Sequence, residues 1–160
     1  MNTGELDIES VGQITRWNGQ DKIGCWGDTD CDEITGSDGT IFPAKATKQG
    51  KTLYIYNHAM CRRIALHFNK TTMSKDGLPV QEYNVARNLF DFTNNNTDNK
   101  CYQYKGSYPQ TGVFNTGPCQ NDKPIYVSFP HFWLGDKQLQ ESIIGVNADE
   151  NKHKSYFSNS

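Results

Sequence analysis

Five cysteines constrain this chain of 160 residues more strongly than any other feature of its sequence. They are Cys25, Cys31, Cys61, Cys101 and Cys119, and successive cysteines lie 6, 30, 40 and 18 residues apart. No pair forms a C-x-x-C motif and no histidine pair of suitable spacing follows, so we expect no structural zinc site. Two interpretations stay open: five reduced, buried thiols, or two disulfides and one leftover cysteine in an oxidising compartment.

The apolar part of the composition is rich in aromatic side chains, with eight Phe, eight Tyr and three Trp. Such side chains favour strands, so we predict a β-rich core. The net charge of −2 gives no electrostatic basis for binding nucleic acid, and no apolar stretch approaches the roughly eighteen residues that span a bilayer. The first ten residues contain three acidic side chains and no apolar segment, unlike a signal peptide. Composition alone therefore predicts a soluble domain without an export signal.

Alternating side chains and turn residues divide the chain into short strands, with no repeat and no linker between domains. A strand over residues 11–17 is expected to lead into a hairpin turn at Asn18-Gly19. The acidic segment 28–39, rich in Gly, Thr and Ser, is predicted to be a loop. Further strands are predicted over residues 52–56, 78–85, 100–105, 111–114 and 124–129.

Two helices are predicted among these strands. Asn57 is a candidate cap for a helix over residues 59–68, with Arg62 and Arg63 on the face opposite its apolar side chains. Asn147 and Glu150 have the spacing of a capping box, which predicts a short final helix.

The segment Asp28-Thr29-Asp30-Cys31-Asp32 imitates the start of a calcium-binding loop. An EF-hand needs Gly at position 6 and a bidentate Glu at position 12, whereas this chain has Glu33 and Gly39 there. The turn and the closing carboxylate are both missing, so we predict a solvated acidic loop and no metal site. The glycines are dispersed and form no phosphate-binding loop, and we expect no cofactor.

Two serines raise the question of a hydrolase. Neither Ser37 nor Ser128 lies in a G-x-S-x-G motif, and a triad would need a histidine that only the fold could place. His131 lies between Pro130 and Phe132, where packing among aromatic side chains explains it better. We predict no catalytic residue and no enzyme, and a hydrolase that uses Ser128 and His131 is the weakest hypothesis.

Two N-glycosylation sequons occur, at Asn69-Lys70-Thr71 and Asn95-Asn96-Thr97. Their number carries no information, because about two are expected by chance in a chain so rich in Asn, Ser and Thr. Asn95 lies in the polar run 93–100, which is predicted to be an exposed loop, and Asn69 directly follows an amphipathic segment. Both asparagines are candidates for glycosylation if the chain is exported.

Six segments of the sequence, taken together and in order, are more informative than any one of them alone. They are GQITRWNG at residues 12–19, CDEITGSDGTIFP at 31–43, CRRI at 61–64, GLPV at 77–80, KPIYVSFPHF at 123–132 and the segment 145–153. In this order, and over residues 8–156, they resemble the ectodomain of the class B scavenger receptor family. That family includes the fatty-acid translocase, the high-density-lipoprotein receptor, the lysosomal integral membrane protein and the insect sensory neuron membrane proteins.

The resemblance implies a pattern of disulfides. In the family, the positions that match Cys31 and Cys101 are joined, and so are those that match Cys61 and Cys119. Loop-closure entropy predicts that each bond contributes about 4 kcal/mol. Cys25 has no partner in the family, which leaves either a free thiol or a bond to a group outside this chain.

The resemblance also implies a fold class, a β-rich α+β ectodomain with an antiparallel β-barrel core, short helices and disulfides. Residues 1–160 are expected to form the central to C-terminal part of one ectodomain, with both transmembrane helices and an apical helical region outside the chain. The complete protein would be anchored in the plasma membrane or the lysosome, with this segment extracellular or luminal.

The function that the resemblance implies is the binding of lipids, fatty acids or lipoproteins, or of a luminal protein partner, with lipid transfer through a tunnel in the barrel. Such transfer needs an apolar passage and no acid, base, metal or cofactor. Candidate lining residues are Tyr54, Tyr83, Tyr126 and Phe129, although ordinary core packing explains each of them at least as well. The alternative is a stand-alone secreted module that binds lipid or protein and has lost its anchors.

Overall fold

A six-stranded sheet forms the centre of the computed structural model, which describes residues 1–27, 29–48 and 50–159. The strands of the chain are β1 (Gln13–Ile14), β2 (Gly36–Ser37), β3 (Leu53–Asn57), β4 (Arg62–Met73), β5 (Pro79–Val85), β6 (Val113–Asn115), β7 (Tyr126–Ser128) and β8 (Tyr156–Asn159). The order across the sheet is β1-β2-β3-β4-β5-β8, while β6 and β7 form a separate pair. Neighbouring strands are antiparallel except β2 and β3, which run parallel.

Strands β3, β4 and β5 form an antiparallel meander that supplies much of the buried surface. Leu66 in β4 is fully buried and pairs with Leu53 of β3 on one side and with Val85 of β5 on the other. A tight turn joins β4 to β5, and Gly77 adopts a φ of 77° there, which glycine accepts without steric cost. Side chains alternate across the sheet, so each strand presents one set of residues to the core.

The predicted helix over residues 59–68 is wrong, because this segment turns and then enters β4. The side chain of Asn57 accepts a hydrogen bond from the backbone N–H of Met60, which closes a turn instead of capping a helix. Cys61 follows with a φ of 48°, and Arg62 then pairs with Asn57 in the antiparallel ladder. Pairing on both sides of β4 outweighs the helical periodicity of its apolar residues.

Most of the other predicted strands are confirmed with shifted ends. Segments 52–56, 78–85, 111–114 and 124–129 overlap β3, β5, β6 and β7, and segment 11–17 contains the short β1. The turn at Asn18-Gly19 is also confirmed, with φ values of 51° and 82°. The strand predicted over residues 100–105 is wrong, since only an isolated bridge joins Tyr104 to Ser107.

Within the described residues, three short α-helices accompany the strands: α1 (Ala44–Lys48), α2 (Lys137–Glu141) and α3 (Glu150–His153). The first two were not predicted, because each has only five residues and therefore little periodicity. The final helix α3 is confirmed, but its cap is Asp149 and not Asn147. The carboxylate of Asp149 accepts a hydrogen bond of 2.9 Å from the backbone N–H of Asn151.

Buried side chains of the described residues form one large, mostly aromatic cluster and two smaller ones. The large cluster contains Trp26, Cys31, Met60, Leu89, Phe90, Tyr102, Phe114, Phe129 and Trp133. The second contains Leu53, Ile55, Leu66 and Tyr83, and the third contains Ile14, Ile34 and Tyr56. Six of the nine residues of the large cluster are aromatic, whereas the two smaller clusters are mainly aliphatic.

The predicted fold class is confirmed in its general form, a β-rich α+β structure with short helices and two disulfides. The described residues do not form a closed barrel, because β1 and β8 are the free edges of an open sheet. The parallel pairing of β2 and β3 also departs from a purely antiparallel arrangement. None of the described helices is long and apolar enough to cross a membrane.

Candidate functional site

Two disulfide bonds join loops that lie far apart in the sequence. One links Cys31 to Cys101 and the other links Cys61 to Cys119, with Cα–Cα distances of 6.0 and 6.1 Å. They connect residues that are 70 and 58 positions apart, and at these separations loop-closure entropy contributes about 4 kcal/mol for each bond. Cys25 is free and half-buried.

A cavity of about 230 Å³ opens where β3 and β4 meet the loop that precedes Cys101. We call it the Arg62 cavity, and its walls include Tyr54, Arg62, Arg63, His67, Asn99 and Tyr102. Arg62 and Arg63 are adjacent in β4, so alternation sends their side chains to opposite faces of the sheet. Arg62 is 4% exposed and belongs to the core, whereas Arg63 is exposed.

The guanidinium of Arg62 is held by backbone, amide and aromatic groups. It donates through one nitrogen to the carbonyl of Leu89 and through another to Oδ1 of Asn99, both across 3.0 Å. Its carbon lies 4.2 Å from the ring centroid of Tyr102 and 4.7 Å from that of Phe114. These contacts replace the water that a buried cation loses.

Burial dominates the electrostatics of this cavity. It lowers the pKa of Arg62, and no carboxylate among the described residues lies within ion-pair distance of this side chain. Burial also raises the pKa of Tyr102, with the charge of Arg62 acting in the opposite direction. Among the described residues, Nε of Arg62 has no hydrogen-bond partner, although it is shielded from solvent. Arg62 is therefore a structural group of the core, with two of its three nitrogens bonded within the protein.

A second opening is a groove of about 560 Å³ between α1 and the start of β5. We call it the Ile41 groove. Half of its lining residues are apolar (Ile41, Phe42, Ala44, Pro79 and Val80) and half are polar (Thr40, Thr47, Lys48, Thr71 and Gln81). Its volume lies within the usual range of small-molecule sites, roughly 300–1,000 Å³. The groove thus combines an apolar strip with polar side chains, and Lys48 supplies the ammonium group among its lining residues.

The four tunnel candidates lie in separate parts of the structure. Tyr83 is 1% exposed in the cluster around Leu66, and Phe129 is buried in the large aromatic cluster. Tyr54 and Tyr126 are both exposed, and Arg63 covers the ring of Tyr54 at 4.9 Å. The structure therefore brings no two of the four candidates into ring contact within the described residues.

Both sequon asparagines are exposed. Asn69 lies in β4 at an irregularity between Phe68 and Lys70, and its amide donates to Oε1 of Glu82 across 2.6 Å. Asn95 lies in the loop before the short 3-10 turn Thr97–Asn99.

The residues of the hydrolase hypothesis are not arranged as a catalytic pair. Ser128 pairs with Val113 in the hairpin of β6 and β7, while the ring of His131 stacks on that of His153 at 4.2 Å. No hydrogen bond joins Ser128 to His131 in the part of the chain that the structure describes. In the calcium-like segment, Asp28 lies outside the described residues, and Asp32 is fully buried and accepts from backbone N–H groups, including that of Trp26.

Sequence reasoning missed the Arg62 cavity and the Ile41 groove. A helical reading of residues 59–68 placed Arg62 and Arg63 together on a solvent face, whereas a strand separates them. The alternation of Arg62, Ile64 and Leu66 is the signal that could have revealed this. The Ile41 groove has no comparable signal, because its walls come from segments that are distant in the sequence.

A β-rich domain with two disulfides and exposed sequons is the kind of module found in extracellular or luminal compartments. The chain belongs to the CD36 family, whose match covers residues 1–159. This membership confirms the resemblance to class B scavenger receptors.

Several curated relatives are similar to this chain over nearly its whole length. Protein peste of Drosophila melanogaster is 34% identical over 158 residues, and lysosome membrane protein 2 of Mus musculus is 30% identical over 154 residues. Scavenger receptor class B member 1 of Cricetulus griseus is 26% identical over 158 residues. These alignments cover 98%, 96% and 97% of this chain but only 28%, 31% and 30% of the relatives. The chain thus spans less than a third of their length.

Proposed function

We propose that this chain is the central to C-terminal part of the ectodomain of a membrane receptor that binds lipids, fatty acids or lipoproteins, or a luminal protein partner. The observation that carries the proposal is the family match over residues 1–159. Relatives named as a lysosome membrane protein and as a class B scavenger receptor support a membrane-anchored protein of the lysosome or the plasma membrane. This segment then faces the lumen or the cell exterior, where its disulfides are stable.

The proposed activity is binding and transfer, which requires no catalytic group and no cofactor. An apolar passage is enough, because a lipid chain moves along surfaces that exclude water. The open edges of β1 and β8 provide places where further strands of the receptor pair and close a barrel. A tunnel through that barrel, lined by residues such as Tyr54, Tyr83, Tyr126 and Phe129, stays a prediction.

Within this chain, the Ile41 groove is the place that best suits a fatty acid. Ile41 and Phe42 offer an apolar wall for the acyl chain, and the exposed ammonium of Lys48 is available for the carboxylate. Burial of apolar surface would supply most of the affinity, at roughly 25 cal/mol for each Å² removed from water. The ammonium group would fix the orientation of the ligand.

Titration of the secreted chain with a fluorescent long-chain fatty acid tests this assignment. We expect Ile41→Asp to weaken binding by about tenfold or more, because it removes an apolar contact and repels the carboxylate. Ile143→Asp is the matched control, since both isoleucines are 48% exposed and Ile143 lies outside the groove. Equal binding by the two variants, with unchanged circular dichroism spectra, would contradict the groove as the binding site.

A variant of Lys48 tests the contribution of the ligand carboxylate separately from that of its acyl chain. Lys48→Gln is expected to weaken binding of the fatty acid and to leave binding of the uncharged alcohol of the same chain length unchanged. A fatty acid that binds Lys48→Gln as tightly as the unaltered chain would show that the carboxylate is recognised elsewhere.

The architecture of the receptor is tested by sequencing its full transcript. We expect apolar segments of about twenty residues to be encoded both upstream and downstream of this chain. A secretory signal in place of these segments would instead support the stand-alone binding module.

A further inference from the structure

The thiol of Cys25 lies directly against an existing disulfide bond. Its Sγ is 3.0 Å from Sγ of Cys119, and Cys119 is bonded to Cys61. The sulfur atoms of these three cysteines all lie within 4.8 Å of one another. A free thiol and a disulfide are therefore in contact, although Cys25 and Cys119 are 94 residues apart in the sequence.

Cys25 forms no disulfide in the structure, and the surrounding backbone and side chains hold it in this position. Gly24 and Gly27 adopt φ values of 73° and 82°, so the chain turns on both sides of Cys25 and Trp26. The backbone N–H of Trp26 donates to the buried carboxylate of Asp32, and its indole N–H donates to the carbonyl oxygen of Cys61, each across 2.8 Å. Trp26 is itself buried, so this turn is fixed relative to Cys61.

We propose that Cys25, Cys61 and Cys119 form a thiol–disulfide exchange site, in which Cys119 bonds to either of the other two cysteines. Cys25 releases its proton to solvent, and the resulting thiolate attacks Sγ of Cys119. The bond between Cys119 and Cys25 forms as the bond between Cys119 and Cys61 breaks. Cys61 leaves as a thiolate and takes up a proton, so the exchange needs no external oxidant or reductant.

The electrostatic environment makes this exchange slow at neutral pH. Burial, with a smaller contribution from the charge of Asp32, raises the pKa of Cys25 to about 11. The phenol of Tyr56 also faces Cys25, and its own pKa of about 12 keeps it neutral over most of the alkaline range. Because the thiolate is the attacking species, the rate of exchange is expected to rise steeply as the pH increases towards 11.

Exchange changes which part of the fold is tethered to Cys119. In the structure, the bond holds the turn between β3 and β4, and Cys61 directly precedes the buried Arg62. After exchange, the bond holds the turn at Gly24 to Gly27, and the start of β4 is held by hydrogen bonds and packing without a covalent link. The two isomers therefore differ in how firmly the entrance to β4 and the Arg62 cavity are held.

Disulfide mapping of the secreted chain tests the proposal. The protein is incubated at pH 7 or pH 10, acidified, alkylated on its free thiol under denaturing conditions, digested without reduction and analysed by mass spectrometry. We expect the alkyl group on Cys25 after incubation at pH 7, and increasingly on Cys61 after incubation at pH 10, where a Cys25–Cys119 peptide appears. Alkylation confined to Cys25 at both pH values would overturn the proposal.

Two variants make the test independent of the pH change. Cys61→Ser is expected to form the Cys25–Cys119 bond during folding in the secretory pathway, whose oxidising machinery accepts the two electrons, while Cys25→Ser keeps the Cys61–Cys119 bond. The bond between Cys31 and Cys101 is the internal control for folding. A Cys61→Ser chain in which that control bond is intact but both Cys25 and Cys119 are alkylated would also overturn the proposal.

Discussion

The guanidinium of Arg62 donates a hydrogen bond to Oδ1 of Asn99 across 3.0 Å, and both side chains are buried, at 4% and 2% exposed. The amide nitrogen of Asn99 in turn donates to three backbone carbonyls within residues 88–91, at distances of 2.7 to 3.1 Å. This pair connects the start of β4 to the loop that leads to Cys101. A charged group is thereby accommodated in the core, with no carboxylate partner in the part of the chain that the structure describes.

Replacement of Arg62 by lysine is expected to destabilise the fold although the charge is retained. Lysine cannot stack on Tyr102 and Phe114, and its compact ammonium cannot reproduce the two separate donors of the guanidinium. We expect a loss of about 1–3 kcal/mol in the free energy of unfolding, measured by urea denaturation. Arg63→Lys is the control on the exposed side of the same strand, where a change of less than about 0.5 kcal/mol is expected. Equal losses for both variants would show that the burial of Arg62 is unimportant.

Phe114 lies at the centre of the large aromatic cluster and is 1% exposed. Its ring contacts those of Trp26 and Tyr102, each with a centroid distance of 5.5 Å. Phe114→Ala is expected to reduce the free energy of unfolding by about 3–5 kcal/mol, because it leaves a cavity among rings that cannot collapse. Tyr126→Ala, at a residue that is 57% exposed, should have a much smaller effect in the same denaturation experiment.

Both sequons are expected to carry glycans when the chain passes through a secretory pathway. Asn69→Gln and Asn95→Gln should each increase electrophoretic mobility by one step, and the double variant should match the chain after enzymatic removal of N-glycans. Asn94→Gln is the matched control, since Asn94 is exposed in the same loop but lies outside a sequon. A mobility for Asn95→Gln that equals that of the unaltered chain would show that this loop is not modified.

The stability of the fold is expected to decrease in alkali. Burial raises the pKa of Cys25 from 9.0 to about 11 and that of Tyr56 from 10.0 to about 12. Both groups are held neutral in the folded state, so their contribution is complete below pH 9 and is lost as the pH rises through these folded pKa values. The Tm should therefore fall between pH 9 and 11, and Cys25→Ser should show a smaller fall. A Tm that is independent of pH in this range would contradict the burial of these groups.

Arg62 and Arg63 show where prediction from the sequence failed, because both were expected on the exposed face of a helix. The apolar residues of β4 fit one face of a helix as well as alternate positions of a strand. This ambiguity led to the wrong prediction of a helix over residues 59–68. Adjacent strands resolve it, because β4 pairs with β3 on one side and with β5 on the other. Short elements such as α1 escaped prediction for a related reason, since five residues do not define a period.

Local patterns by themselves determined the β-rich character of this protein, its turn at Asn18-Gly19 and, through six ordered motifs, its membership of the family. Only the tertiary structure decided that Arg62 is buried while Arg63 is exposed, that β2 and β3 run parallel, and that Cys25 lies against Cys119. The physical reason is the range of the interactions. Turns and alternation depend on neighbours along the chain, whereas the contact between Cys25 and Cys119 depends on how segments 94 residues apart pack together.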